Sequence, residues 1–276
     1  MVKITCDSAA SLYRYAERIG VTVLPVKVIV EDREFNDGVN ITAADIHRYI
    51  ERTKIVPKTA AIITEDCDRV FGELSGQFDA VIHVSIGEKL SASLTVARAS
   101  AAKFKNVFVV DSKNVYAGYA LLVIKAVELA NAGKSAPDIV RELERMADRI
   151  HYTSVFETLE YLCKGGRVPK ITLLGANLLG IKPELQAIDG EMIPVKKFRG
   201  KQDVVIKKYI TEQIINHPRA DKSLCVMLYT RMPKQWHAMA KQMLKDAGFQ
   251  NVVELEAGAH MALHCGYGAL GVAFLV

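Results

Sequence analysis

Through the first half of the chain, short β-branched runs alternate with longer stretches in which apolar positions recur every three or four residues. Lys3–Thr5, Thr22–Val30, Ala80–Ile86 and Val107–Val110 read as strands. Thr42–Arg52, Thr64–Leu74, Ser91–Ala102 and Tyr116–Ala132 carry the helical spacing, and Thr42 with Asp45 is similar to a capping box. Strand and helix in alternation predict an α/β fold, a doubly wound parallel sheet with helices on both faces.

Asn131-Ala132-Gly133-Lys134-Ser135 closes one helix on a glycine and offers Ser135 as the cap of the next, which runs to about Arg149. A domain boundary is expected near residue 150, dividing the chain into 1–150 and 151–276. Beyond it the pattern changes. Ile181–Ile188 and Glu191–Phe198 flank Asp189-Gly190, a two-residue hairpin signal, so antiparallel pairing enters and the second α/β domain should hold a mixed sheet. Helices over Gln202–Asn216 and Pro233–Ala247, with strands Ser223–Tyr229, Asn251–Glu256 and Ala269–Leu275, complete it. No internal repeat of fixed period is visible.

Half of the 276 residues are hydrophobic and 24% are charged, which supplies a core and excludes a disordered, collagen-like or coiled-coil chain. The longest stretch free of Asp, Glu, Lys and Arg is Ala257–Val276, where His260, His264 and four glycines predict a turn and then a buried strand rather than a membrane span. Val2-Lys3-Ile4-Thr5 opens without an apolar leader, which leads us to expect a cytoplasmic protein. Five cysteines without a C-x-x-C pair predict buried free thiols and no metal site. Residues 1–140 carry 17 basic and 17 acidic side chains, whereas Glu160–Ile210 carries ten basic against five acidic. An anionic partner would be steered to that segment.

Gly266-Tyr267-Gly268-Ala269-Leu270-Gly271 matches G-x-G-x-x-G, but no helix and no acidic residue about 20 positions on can follow it so near the end of this sequence. Its glycines are expected to let the backbone turn tightly. Ser91 follows a strand across a short loop and starts a helix, an address where α/β sheets bind anions and also where a plain capping serine sits. Thr59 lies in a loop leading to a helix, where a turn threonine is the ordinary reading. His264, and less clearly His260, sits in a glycine-rich turn, where a satisfied structural histidine is the ordinary reading. Arg167 follows Gly165-Gly166, and Lys197-Phe198-Arg199-Gly200-Lys201 ends the hairpin; both read as solvated basic loops that together would make a docking face. A serine hydrolase using Ser91 and His264 is the enzymatic alternative, although the flanking glycines of a nucleophile elbow and an acidic orienter are missing. Nucleic-acid binding is disfavoured, because the basic segment lacks interleaved aromatic residues.

Taken in order, several motifs together resemble the DegV family of fatty-acid-binding proteins. They are Thr5-Cys6-Asp7-Ser8, Leu24-Pro25-Val26, Phe35-Asn36-Asp37-Gly38, Pro57-Lys58-Thr59, Leu90-Ser91-Ala92-Ser93, Val110-Asp111-Ser112, Lys164-Gly165-Gly166-Arg167, Ile181-Lys182-Pro183, Lys197-Phe198-Arg199-Gly200 and His264-Cys265-Gly266-Tyr267-Gly268. The resemblance spans almost the whole chain.

It implies a non-catalytic protein without a cofactor, enclosing a long-chain fatty acid between two domains. The carboxylate would be held by Thr59, Ser91 and His264, with Ser93, Gly266 and Gly268 as further contacts. In family members linked to fatty acid kinase, the bound acid is presented to a separate kinase protein. By that resemblance Arg167, Arg199 and Lys201 would face the kinase. The chain departs from the family pattern at Ala60, Ala61, Ala92 and Tyr267, which bears on ligand choice.

Overall fold

The computed structural model describes residues 1–168 and 181–276. In chain order it contains β1 (Val2–Asp7), a 3-10 turn at Ser8–Ala10, α1 (Tyr13–Ile19), β2 (Thr22–Leu24), β3 (Lys27–Val30), β4 (Arg33–Asn36), α2 (Ala43–Thr53), β5 (Lys58–Ala60), α3 (Thr64–Ser75), β6 (Ala80–Ser85), α4 (Ser93–Ala101), β7 (Val107–Asp111), α5 (Tyr116–Asn131) and α6 (Ala136–Ala147). Then come β8 (Ile150–Val155), α7 (Glu160–Lys164), β9 (Ile181–Ile188), β10 (Glu191–Arg199), α8 (Gln202–Asn216), β11 (Leu224–Tyr229), α9 (Lys234–Asp246), β12 (Asn251–Glu256), α10 (Ala259–Cys265) and β13 (Leu270–Leu275).

The expected parallel sheet is present, in the order β2-β1-β6-β7. β6 is buried on both faces, as a central parallel strand should be. Val81 packs into the cluster under α3 and α4, while Ile82 and Val84 join the cluster around α5. Order reverses between β1 and β6, and there the carboxyl ends of both strands meet: Asp7 Oδ2 accepts the Ile86 amide at 3.2 Å. Crevices at such a reversal are where open α/β sheets bind ligands.

The second sheet is mixed, ordered β10-β9-β8-β13-β11-β12, with β11 and β12 parallel and the other pairs antiparallel. Asp189 (φ 50°) and Gly190 (φ 78°) both take the left-handed conformation that a tight two-residue hairpin requires. α5 lies between the two sheets and packs on β1, β11 and β13. It is buried from Tyr116 to Ile124 without a polar face, as a helix covered on all sides must be. One hydrophobic cluster therefore runs from Ile4 through α5 to Leu275.

Three expectations need correction. Thr22–Val30 is two strands, broken at Pro25-Val26, and its second part belongs to a third sheet ordered β4-β3-β5. Pro25 has no amide to donate, which ends the first ladder. Thr59 lies on β5 of that third sheet, opposite Val28, and not in a loop. His260 and His264 stand on α10 and not in a turn. Every residue of α10 is buried, so the segment has no alternation of apolar and polar positions from which a helix could be read. Among the described residues no helix is long and apolar enough to cross a membrane. The five cysteines are all buried and none is in a disulfide.

Candidate functional site

α10 comes late in the chain yet packs mainly on early elements. Ala259, Ala262 and Leu263 share an apolar cluster with Val28 on β3 and with Ile46 and Ile50 on α2. This packing brings two expected site residues together: Thr59 Oγ1 lies 3.2 Å from His264 Nε2 across 205 residues of sequence. β5, which carries Thr59, is only three residues long, and its neighbour β3 positions it.

Ser91 is linked to the segment after Thr59 through Ser93. It sits in the loop after β6, two residues before α4, rather than at the helix start. Its hydroxyl accepts the Ser93 amide at 3.2 Å and lies 3.0 Å from the Ser93 hydroxyl. Ser93 Oγ in turn accepts the amide of Ile62 at 3.4 Å, three residues beyond Thr59. The loop that bears Ser91 is thus tied to the segment that follows β5. Ser91 and Thr59 are half-buried, whereas Ser93 is fully buried.

His264 is buried and held neutral at pH 7. Burial pushes its pKa well down, and neighbouring His260 and the Arg167 guanidinium push the same way. His260 is pushed down to about 3 by burial and then by Arg167. The two rings meet edge to face at 5.0 Å. Neither Nδ1 has a hydrogen-bond partner among the described residues. Gly165 explains how the ring of His264 fits: a Cβ there would stand 2.5 Å from its Nδ1. Arg167 donates to the Gly165 carbonyl at 2.6 Å and so holds its charge beside the pair. A neutral imidazole beside the Thr59 hydroxyl, with a guanidinium nearby, offers donors suited to a carboxylate.

Gly266 and Gly268 shape the turn after α10, with φ of 65° and 68°. A Cβ on Gly266 would fall 2.5 Å from the Tyr161 ring, so close approach demands glycine there. The apparent dinucleotide motif is this turn and the start of β13. Between the two glycines, Tyr267 stacks on His47 of α2 at 4.2 Å and its hydroxyl donates to Glu51. Arg199 and Lys201 are exposed at the end of β10 and the start of α8, while Arg167 is half-buried with the histidines. Sequence reasoning gave Arg167 to the docking face and missed its place here. A lone arginine after two glycines carries no sign of which way it folds.

The hydrolase alternative finds no support. The Ser91 hydroxyl is engaged by Ser93, and His264 meets Thr59 on one nitrogen and no carboxylate on the other among the described residues. A nucleophile needs a base, and that base an orienter. Nor do three or more metal-ligating side chains converge among the described residues.

Beneath α10 lies a void of about 10 Å³, lined by Tyr116, Tyr152, Phe156, Leu228, Met261 and Cys265. The oily slot expected between the halves is thus nearly shut at this point, since ligand pockets run to hundreds of Å³. A much larger open groove, about 930 Å³, runs past Glu51, Lys182, Lys201, Arg231, Trp236 and Tyr267. It does not include Thr59, Ser91 or His264.

Residues 1–276 match the family model described as "Uncharacterised protein, DegV family". A DegV domain-containing protein of Deinococcus radiodurans is 29% identical over 276 residues, covering 99% of this chain and 97% of its own. Among solved structures, a DegV family protein from Thermus thermophilus, described for its fatty acid binding, is 26% identical with a TM-score of 0.90, covering 100% of this chain and 99% of that one. The Streptococcus pneumoniae fatty acid kinase (Fak) B3 protein, solved with linoleic acid, has a TM-score of 0.85 at 18% identity, covering 100% and 99% of the two chains. At that identity the likeness is one of fold.

Proposed function

The chain belongs to the DegV family, and from that premise we propose that it is a non-catalytic lipid-binding protein that holds a long-chain fatty acid by its carboxylate at Thr59, Ser91 and His264. The observation that carries this reading is the 3.2 Å approach of Thr59 to a buried, neutral His264, with Ser93, the partner of Ser91, bonded to Ile62 three residues beyond Thr59. With its proton on Nε2, the imidazole donates outward, and each hydroxyl adds a donor without bringing charge. A carboxylate placed there exchanges water for three or four hydrogen bonds, which offsets its desolvation. The fatty acid binding described for the Thermus thermophilus relative supports the same ligand class.

The acyl chain enters the core beneath α10, where the small void between α5, α10 and the mixed sheet widens by repacking of Met261 and its neighbours. Burying about 14 methylenes at ~0.8 kcal/mol each gives on the order of 11 kcal/mol of gross driving force before the entropy of association is subtracted. The tail supplies affinity and the head group fixes orientation.

A finer step is presentation of the bound acid to a separate fatty acid kinase, with exposed Arg199 and Lys201 as the docking side chains. The division at residue 150 then separates two parts that share α5 as their common wall. A cytoplasmic location suits that traffic.

Mass spectrometry of organic extracts from the purified protein tests the ligand class. About one long-chain fatty acid per chain is expected. Extracts without fatty acid, from protein that also fails to take it up when supplied, would overturn the reading.

A further inference from the structure

Asp37 is almost fully buried, 2% exposed, and the head-group chemistry does not use it. It belongs to the first half of the chain, at the end of β4, yet its Oδ1 accepts the backbone amides of Ala259 at 2.9 Å and His260 at 3.3 Å. These are the first two residues of α10, whose amides have no partner within the helix. Its Oδ2 accepts the hydroxyls of Ser8 at 2.9 Å and Tyr13 at 2.8 Å, and Ser11 Oγ accepts the Gly258 amide at 3.4 Å. Among the described residues, the side chains that accept the amides at the start of α10 therefore come from the first 37 residues.

The surroundings are cut to fit. The Tyr13 ring passes between Gly38 and Gly258; a Cβ on Gly38 would stand 2.3 Å from Cε1 of that ring, and one on Gly258 would stand 1.4 Å from its hydroxyl oxygen. Gly38 also needs its positive φ of 77°. A carboxylate on the first turn of a helix suits the positive end of the helix dipole and satisfies orphaned amides. Here it also fixes the helix in space. α10 is only seven residues long, so a shift of its first turn is a shift of His264, little more than one turn away.

We propose that Asp37 is a positioning residue for the head-group site: from the first half of the chain it anchors the start of α10 and thereby sets where His264 stands opposite Thr59. The inference rests on the carboxylate-binding role of His264 proposed above.

The test is a double-mutant cycle on fatty acid affinity with Asp37→Asn and His264→Ala, together with ¹⁵N-histidine spectra of the lipid-free protein. Asp37→Asn keeps the shape and removes the charge, so the fold is expected to survive. Asp37→Glu, which restores the charge at a different reach, is the second variant. Asp37→Asn should weaken fatty acid binding about tenfold in the wild-type background and less than twofold when His264 is already alanine. The His264 ring resonances should move in Asp37→Asn and return toward wild type in Asp37→Glu. Equal losses in both backgrounds, or unmoved His264 resonances, would overturn the proposal. If wild-type protein binds no fatty acid, the functional reading fails, while the spectra still decide whether Asp37 places His264.

Discussion

The two ends of α10 are polar in opposite ways. At its start, the amides of Ala259 and His260 and the hydroxyls of Ser8 and Tyr13 all converge on the Asp37 carboxylate, so that end is closed and satisfied. Toward its finish, His264 keeps a buried nitrogen without a partner among the described residues, as the His260 ring does one turn earlier, and Thr59 and Ser91 are only half-buried. Unsatisfied buried polar atoms are costly and are therefore uncommon in a purely structural region. One end holds the helix. The other is arranged to receive something.

That contrast can be broken from the closed end. Gly258→Ala puts a methyl group where the Tyr13 hydroxyl now stands, expelling the ring and its bond to Asp37. A loss of ~3 kcal/mol in unfolding free energy is expected, read by denaturant titration, together with loss of fatty acid binding. Unchanged stability would mean that the wedge is not a constraint.

The buried carboxyls and the buried His260 imidazole should also titrate in opposite senses. Burial raises Asp37 to about 6, although its hydrogen bonds with Tyr13 and Ser8 and the amides of His260 and Ala259 oppose this, and burial raises Asp7 to about 7. Both values lie above the ordinary aspartate value of unfolded chains. The stability these groups contribute is thus fully present below about pH 4 and is lost as pH rises through 6 to 7. His260, held near 3, behaves inversely: its contribution is present above about pH 6.5 and is lost as pH falls toward 3. Relative to Asp37→Asn, the wild type should lose ~2 kcal/mol between pH 4 and pH 8. Parallel pH profiles for the two proteins would refute the assignment.

At the open end, Ser91→Ala removes one donor without disturbing α10. Fatty acid retention should weaken by ~1–2 kcal/mol with unfolding unchanged within error, as measured by competition with a fluorescent fatty acid. Equal retention would remove Ser91 from the site. The smallest effect on lipid is expected at Arg199→Ala, which lies exposed at the end of β10. Lipid binding should stay within twofold of wild type, while transfer to a fatty acid kinase should fall. Loss of lipid in that variant would contradict the docking role.

Much of the architecture was legible because it is written in periodicity. The β6 run, the Thr42–Asp45 capping box and the Asp189-Gly190 hairpin are local signals, and each has its expected form. The proposed site residues were nominated only by the family resemblance, since Thr59, Ser91 and His264 are separated by up to 205 residues and each alone has an ordinary structural explanation. What stayed hidden is long-range. The α10 segment shows no periodicity because it is buried on every side, and nothing near Asp37 in sequence reveals that it caps a helix more than 220 residues later. Gly165 against His264 is hidden for the same reason: the fit is read in space and not in spacing.

Everything proposed for this site depends on recognition of a carboxylate by Thr59 and His264. The direct measurement is the affinity ratio of a long-chain fatty acid to its own methyl ester, for wild type and for a Thr59→Val, His264→Ala double variant. The tail is common to both ligands, so the ratio isolates the head group. Wild type should prefer the acid by tenfold or more, and the double variant should bind the two about equally. An undiminished preference in the variant, or none in the wild type, would show that the carboxylate is held elsewhere.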